Sequence, residues 1–155
     1  MPSKEITEGD AAPSFTLPAN NGEKVSLVGL KGKWVVLYFY PKDDTPGCTR
    51  EACSFRDTKP MFVKKNAVVL GVSKDSLGSH EKFINKYNLN FLLLADTDGK
   101  TIEAYGAFKK KSMFGKTFLG IERSTFLIDP QGKIAKIWRN VKVEGHEEEV
   151  LSAIG

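Results

Sequence analysis

The sequence predicts a three-layer α/β sandwich, a mixed β-sheet flanked by helices, and three observations carry that reading. Some apolar runs do not alternate with polar residues; the longest, Trp34 to Tyr40, reads as a strand covered on both faces. Helical patterns separate these runs, which implies right-handed parallel crossovers between the strands. Late in the chain, two further strand candidates are joined by a tight turn, so that part of the sheet is antiparallel.

Taken in order, Phe15-Thr16-Leu17 and Lys24-Val25-Ser26-Leu27 are short strands flanking Asn21-Gly22, a strong hairpin-turn signal. Trp34 to Tyr40 is the first buried strand. Val68 to Val72 has the same character, and Phe91 to Leu94 is the third candidate. Helices are expected from Thr45 to about Lys65 and from Ser76 to about Tyr87, the second with Phe83, Ile84 and Tyr87 at helical spacing. Ser124 to Ile128 and Ile134 to Trp138 pair through Asp129-Pro130-Gln131-Gly132, where proline sits well at the second turn position. A helix near His146 to Ala153 closes the chain. No repeat, low-complexity tract or linker divides it, so residues 1–155 are read as one domain.

With 41% hydrophobic and 27% charged residues the composition is that of a soluble globular protein. No run approaches the roughly 18 apolar residues of a membrane span. Met1 to Glu5 lacks the apolar core of a signal peptide, so a cytoplasmic location is expected. The net charge of +4 is spread along the chain. Its one cluster, Lys109-Lys110-Lys111 with Lys116, reads as a solvated basic loop that includes Met113-Phe114, not as a phosphate-tracking surface, and no nucleic acid is expected. His80 is read as a helix-surface residue and His146 as a residue of the last helix.

There are only two cysteines, five positions apart, which suggests redox chemistry or metal. Zinc wants four ligands with closely spaced pairs, and the two histidines are distant, so no metal is expected. Cys48 follows Pro41-Lys42-Asp43-Asp44-Thr45-Pro46-Gly47 at the carboxyl end of the buried strand, where open α/β sheets place their ligand sites. Thr45 reads as an N-cap with Pro46 at the first helical position. Cys48 is then third in the helix, among N–H groups that lack intrahelical acceptors. A free cysteine is only about 3% thiolate at pH 7. A helix N-terminus contributes at most about 2 kcal/mol, short of the roughly 3.4 kcal/mol needed for a mostly ionised sulfur, so a cation must help. Arg50, Arg56, Arg123 and Arg139 are the arginines available, and composition does not choose among them.

Pro41-x-x-x-Thr45-x-x-Cys48 resembles the active-site motif of the peroxiredoxins, and Tyr38 to Thr49 is similar to their bacterioferritin comigratory protein, or Q-type, branch. Supporting matches include Ala12-Pro13-x-Phe15-x-Leu17-Pro18, Gly71-Val72-Ser73-x-Asp75-Ser76 with Ser79-His80, Tyr105-Gly106, and Arg123 to Asp129. The resemblance implies a thioredoxin-like fold and a thiol peroxidase acting on hydroperoxides. It implies Cys48 as nucleophile and Cys53 as resolving partner. Thr45 and Pro41 would shape the pocket, Arg123 would hold the thiolate and polarise the peroxide, and Glu51 would orient that network. Thioredoxin, or a glutaredoxin, would be the reductant, and no cofactor is needed. No second cysteine lies near the C-terminus to form an intersubunit disulfide, so a monomer is expected.

A disulfide reductase would more usually carry Cys-x-x-Cys than the Cys-x-x-x-x-Cys found here. A redox sensor would use the same cysteines but would not turn over. If both cysteines lie on one regular helix, their Cα atoms are roughly 8.6 Å apart, beyond the ~7 Å that a disulfide spans. The helix must then unwind before the bond can form.

Overall fold

The computed structural model describes residues 5–155; Met1 to Lys4, part of the segment read for a leader, lie outside them. The chain begins with the strands β1 (Thr16–Pro18) and β2 (Lys24–Ser26), then β3 (Trp34–Phe39) and helix α1 (Pro46–Lys64). Next come β4 (Ala67–Ser73), α2 (Leu77–Tyr87), β5 (Leu92–Ala95) and the short helix α3 (Lys100–Ala104). Strands β6 (Phe108–Met113), β7 (Lys116–Ile121), β8 (Ser124–Ile128) and β9 (Ile134–Trp138) precede the last helix, α4 (His146–Ala153). The main sheet has the order β5-β4-β3-β8-β9. β3 pairs parallel with β4, and β4 with β5; β3–β8 and β8–β9 are antiparallel. The mixed sheet is as expected, and so is the first hairpin, with Gly22 at φ +86°, a region that glycine enters without steric cost.

The unbroken apolar run of β3 is explained by its two covered faces. Val35, Leu37 and Phe39 pack with Leu70, Val72, Leu94 and Phe126 beneath Phe15, Ile102 and Tyr105. Val36 and Tyr38 point the other way, with Val69, Leu93 and Leu127, against Phe55 and Phe62 of α1, Phe83 of α2 and Val150 of α4. Each such side chain contributes roughly 1.5–3 kcal/mol when fully buried. Pro60 lies inside α1 and cannot donate to the Arg56 carbonyl one turn back. The Asn90 side-chain amide donates to that carbonyl at 3.1 Å, so the helix continues.

Two expectations are corrected. The basic segment is not a loop: β6 and β7 form an antiparallel ribbon in which Lys109 pairs with Gly120 and Lys111 with Phe118. Solvent reaches most of it, and Phe114 at its turn is 96% exposed, so no apolar alternation marks it as a strand pair. His80 is not on the helix surface but fully buried, bonded to Asp43 and to the Leu94 carbonyl. His146 does belong to the last helix, but at its buried start, where its Nε2 lies 2.8 Å from the Thr125 hydroxyl and burial holds its pKa below the usual value. Helix α3, five residues long, was not anticipated.

Candidate active site

The carboxyl end of β3 delivers the chain through a loop to the start of α1. Thr45 caps that helix in an extended conformation (φ −92°, ψ 155°), Pro46 takes the first helical position, and the Thr49 N–H donates to the Thr45 carbonyl at 2.8 Å. The Thr45 side chain does not cap the helix; its hydroxyl donates to the Lys42 carbonyl at 2.9 Å. Cys48 is therefore the third residue of α1. It is 1% exposed, at the edge of an apolar cluster with Tyr38, Tyr40, Ala52 and Phe55.

Of the four arginines, Arg123 is the one placed on the sulfur. Its Nη2 donates to Cys48 Sγ at 3.3 Å while Nη1 donates to Glu51 Oε1 at 2.7 Å. A planar guanidinium can serve two acceptors in this way because its donors are fixed in a fork. Arg56 is bound to Asp57 and to the Tyr87 carbonyl, Arg139 to the carbonyls of Tyr105 and Gly106, and Arg50 is exposed. One residue that sequence reasoning missed is Gly47. A Cβ there would stand 3.1 Å from Arg123 Nη2, so the absence of a side chain leaves room for the guanidinium. The available signal was a poor helix former in a helix's first turn.

Glu51 is buried, and its Oε2 has no hydrogen-bond partner among the described residues. Burial pushes its pKa up to about 7, although the Arg123 charge and hydrogen bond pull it down. Burial alone would lower the Arg123 pKa, but the charges of Glu51 and Cys48 more than offset that and hold it above its ordinary value. The pair thus consists of a guanidinium that keeps its charge and a carboxyl that is easily protonated. Between pH 4.5 and about 7 the folded chain holds a proton on Glu51 that the unfolded chain has released, so stability falls as pH rises through that window. The expected decrease is about 3 kcal/mol. Urea unfolding of wild type and Glu51→Gln at several pH values checks this. The difference between them should shift against wild type across the window and level off above it; a flat difference would contradict the assignment.

Cys53 lies further along α1, half-buried, and both cysteines are free thiols. Pro41 lies exposed on the loop before the helix. The structure thus links Cys48, Glu51 and Arg123 by hydrogen bonds and sets Thr45 one turn before the sulfur, while neither Cys53 nor Pro41 is hydrogen-bonded to it. At the start of α1 the sulfur has a fixed guanidinium within hydrogen-bond distance.

Comparison with known proteins agrees with this chemistry. A family model described as the AhpC/TSA family matches residues 8–137. A putative peroxiredoxin bcp from Coxiella burnetii is 55% identical over 149 residues, 96% of this chain and 99% of that protein. Peroxiredoxin Bcp from Escherichia coli K12 is 44% identical over 147 residues, 95% of this chain and 94% of that protein. The solved Xanthomonas campestris peroxiredoxin Q superposes with a TM-score of 0.88 at 46% identity, covering 90% of this chain and 89% of that one. A Xanthomonas campestris bacterioferritin comigratory protein, solved as a trapped intermediate/ligand complex for insight into its alkyl peroxide reduction, gives 0.87 at 45% identity, with coverage of 90% and 89%.

Proposed function

The chain belongs to the AhpC/TSA family of peroxiredoxins, and from that premise we propose how its own residues carry out the reaction. The fold is thioredoxin-like and the protein is a thiol peroxidase. Cys48, as thiolate, attacks one oxygen of a hydroperoxide; the O–O bond breaks, and water or an alcohol leaves with a proton from the medium. Negative charge grows on the departing oxygen, and donors fixed at that point lower the barrier. Arg123, the free N–H groups of the first turn and the Thr45 hydroxyl, once turned from Lys42, are these donors, with Pro41 shaping the mouth of the pocket. Glu51 orients Arg123. The observation that carries this reading is the Arg123 guanidinium held between Cys48 Sγ at 3.3 Å and Glu51 at 2.7 Å.

The Cys48 sulfenic acid then condenses with Cys53, releasing water and forming an intramolecular disulfide. An external dithiol, thioredoxin or a glutaredoxin, reduces that bond by thiol–disulfide exchange. Hydrogen peroxide and organic hydroperoxides are the substrates. With both cysteines in one chain the protein works as a single-domain monomer, and its need for a reductant suits the cytoplasm. None of the described helices is long and apolar enough to cross a membrane.

Both cysteines occupy α1, so the disulfide requires that helix to open. Amide exchange tests this step. Oxidised protein should lose protection between Thr45 and Phe55 relative to reduced protein, while the central strands keep theirs. Equal protection in the two states would refute the opening.

A further inference from the structure

The loop from β3 to α1 carries Pro41 and Thr45 and delivers Cys48, yet it is attached to a part of the chain that the chemistry does not use. Asp43, at its centre, is 8% exposed. Its N–H donates to Asp75 Oδ2 at 2.8 Å, and its carboxylate accepts from the Tyr40 hydroxyl at 2.5 Å and the Ser79 hydroxyl at 2.8 Å. The same carboxylate meets His80 Nδ1 at 2.7 Å. His80 Nε2 lies 2.9 Å from the Leu94 carbonyl, which can only accept, so Nε2 donates there while Nδ1 faces Asp43. The next residue, Asp44, has φ +59° and holds Lys86 at 2.8 Å and the Tyr87 hydroxyl at 2.7 Å. Ligand-type atoms of Asp43, Asp75 and His80 lie within 4.8 Å of one another, but each already has hydrogen-bond partners, Asp75 Oδ2 taking the Ser73 hydroxyl as well. The cluster is a strut from α2 to the loop.

We propose that His80, acting through Asp43, is a positioning residue for the peroxide step and not for disulfide formation. Asp43 is two residues from both Pro41 and Thr45, so its fixed carboxylate sets where the peroxide-facing groups stand. Disulfide formation instead requires the adjoining first turn of α1 to open, which the strut opposes. Loosening the strut therefore slows sulfenic acid formation and spares or speeds its resolution. This rests on the reading of Cys48 as the nucleophile.

The experiment compares wild type with His80→Asn, Asp43→Asn and the double variant. It measures the second-order rate at which stoichiometric peroxide converts Cys48 to the sulfenic acid, and the rate at which the disulfide then appears. His80→Asn should lower the first rate about ten- to hundredfold, as a displacement of about 1 Å does, and leave the second unchanged or faster. In the Asp43→Asn background it should cause no further loss, because the two residues act as one unit. A folded His80→Asn protein with a wild-type first rate, equal losses in both rates, or additive losses would each overturn the proposal. Should His80→Asn fail to fold, Ser79→Ala removes one donor to Asp43 and should lower the first rate alone, about threefold; no change, or equal losses, overturns it. Cys48→Ser is the control: peroxide reduction that survives it refutes the underlying reading and not the strut.

Discussion

Replacing Arg123 by methionine should slow peroxide reduction by about 10²–10³-fold, the loss seen when one fixed donor to developing negative charge is removed. The guanidinium stands 3.3 Å from the sulfur, and in the proposed reaction it also faces the oxygen that accumulates charge. Methionine keeps much of the stem's volume but removes both roles. It also strands Glu51, 2% exposed at its side chain, without its cation. Leaving a buried charge uncompensated costs about 3–5 kcal/mol. Because burial already pushes Glu51 up to about 7, the carboxyl can take a proton, and the loss should lie near the lower figure. Arg123→Lys keeps a positive charge but loses the fork that reaches both partners, so its rate should fall between wild type and methionine. Stopped-flow peroxide reduction, with urea unfolding alongside, separates the two effects. A folded Arg123→Met protein with a wild-type rate would remove Arg123 from the mechanism.

Cys53→Ser should consume about one equivalent of peroxide per chain in a fast first phase and then fail to cycle, because the sulfenic acid on Cys48 has no partner within the chain. The first equivalent should be consumed at the wild-type rate, since Cys53 takes no part in the hydrogen bonds that join Cys48, Arg123 and Glu51. Steady turnover with thioredoxin should drop to background, and further peroxide should drive the trapped sulfenic acid to the irreversible sulfinic form. A peroxide titration read by intact-protein mass distinguishes these outcomes. Cycling at the wild-type rate would show that the reductant attacks the sulfenic acid directly and that Cys53 is an ordinary half-buried thiol.

Much of this is legible in the sequence. The continuous apolar runs of β3 and β4 and the Thr45-Pro46 start of α1 follow from rules that act locally. The choice of Arg123 did not. Seventy-five positions separate it from Cys48, and nothing local distinguishes it from Arg56 or Arg139; resemblance to the family pointed to it, and the fold supplies the contact. The β6–β7 ribbon escaped because strand patterning records a buried face, and this pair has almost none. His80 was misjudged for a different reason. It lies three residues before Phe83 and four before Ile84, on the inner face of α2, so the helical spacing was visible. A titratable side chain reads as solvent-facing by type, but a buried carboxylate on the loop before α1 receives this one.

Peroxide consumption by Cys48→Ser, supplied with thioredoxin and its reductase, tests the role of this sulfur most directly. The expected result is no consumption above that of the protein-free mixture, in a variant whose cooperative unfolding matches wild type. Consumption at the wild-type rate by that folded variant would contradict it.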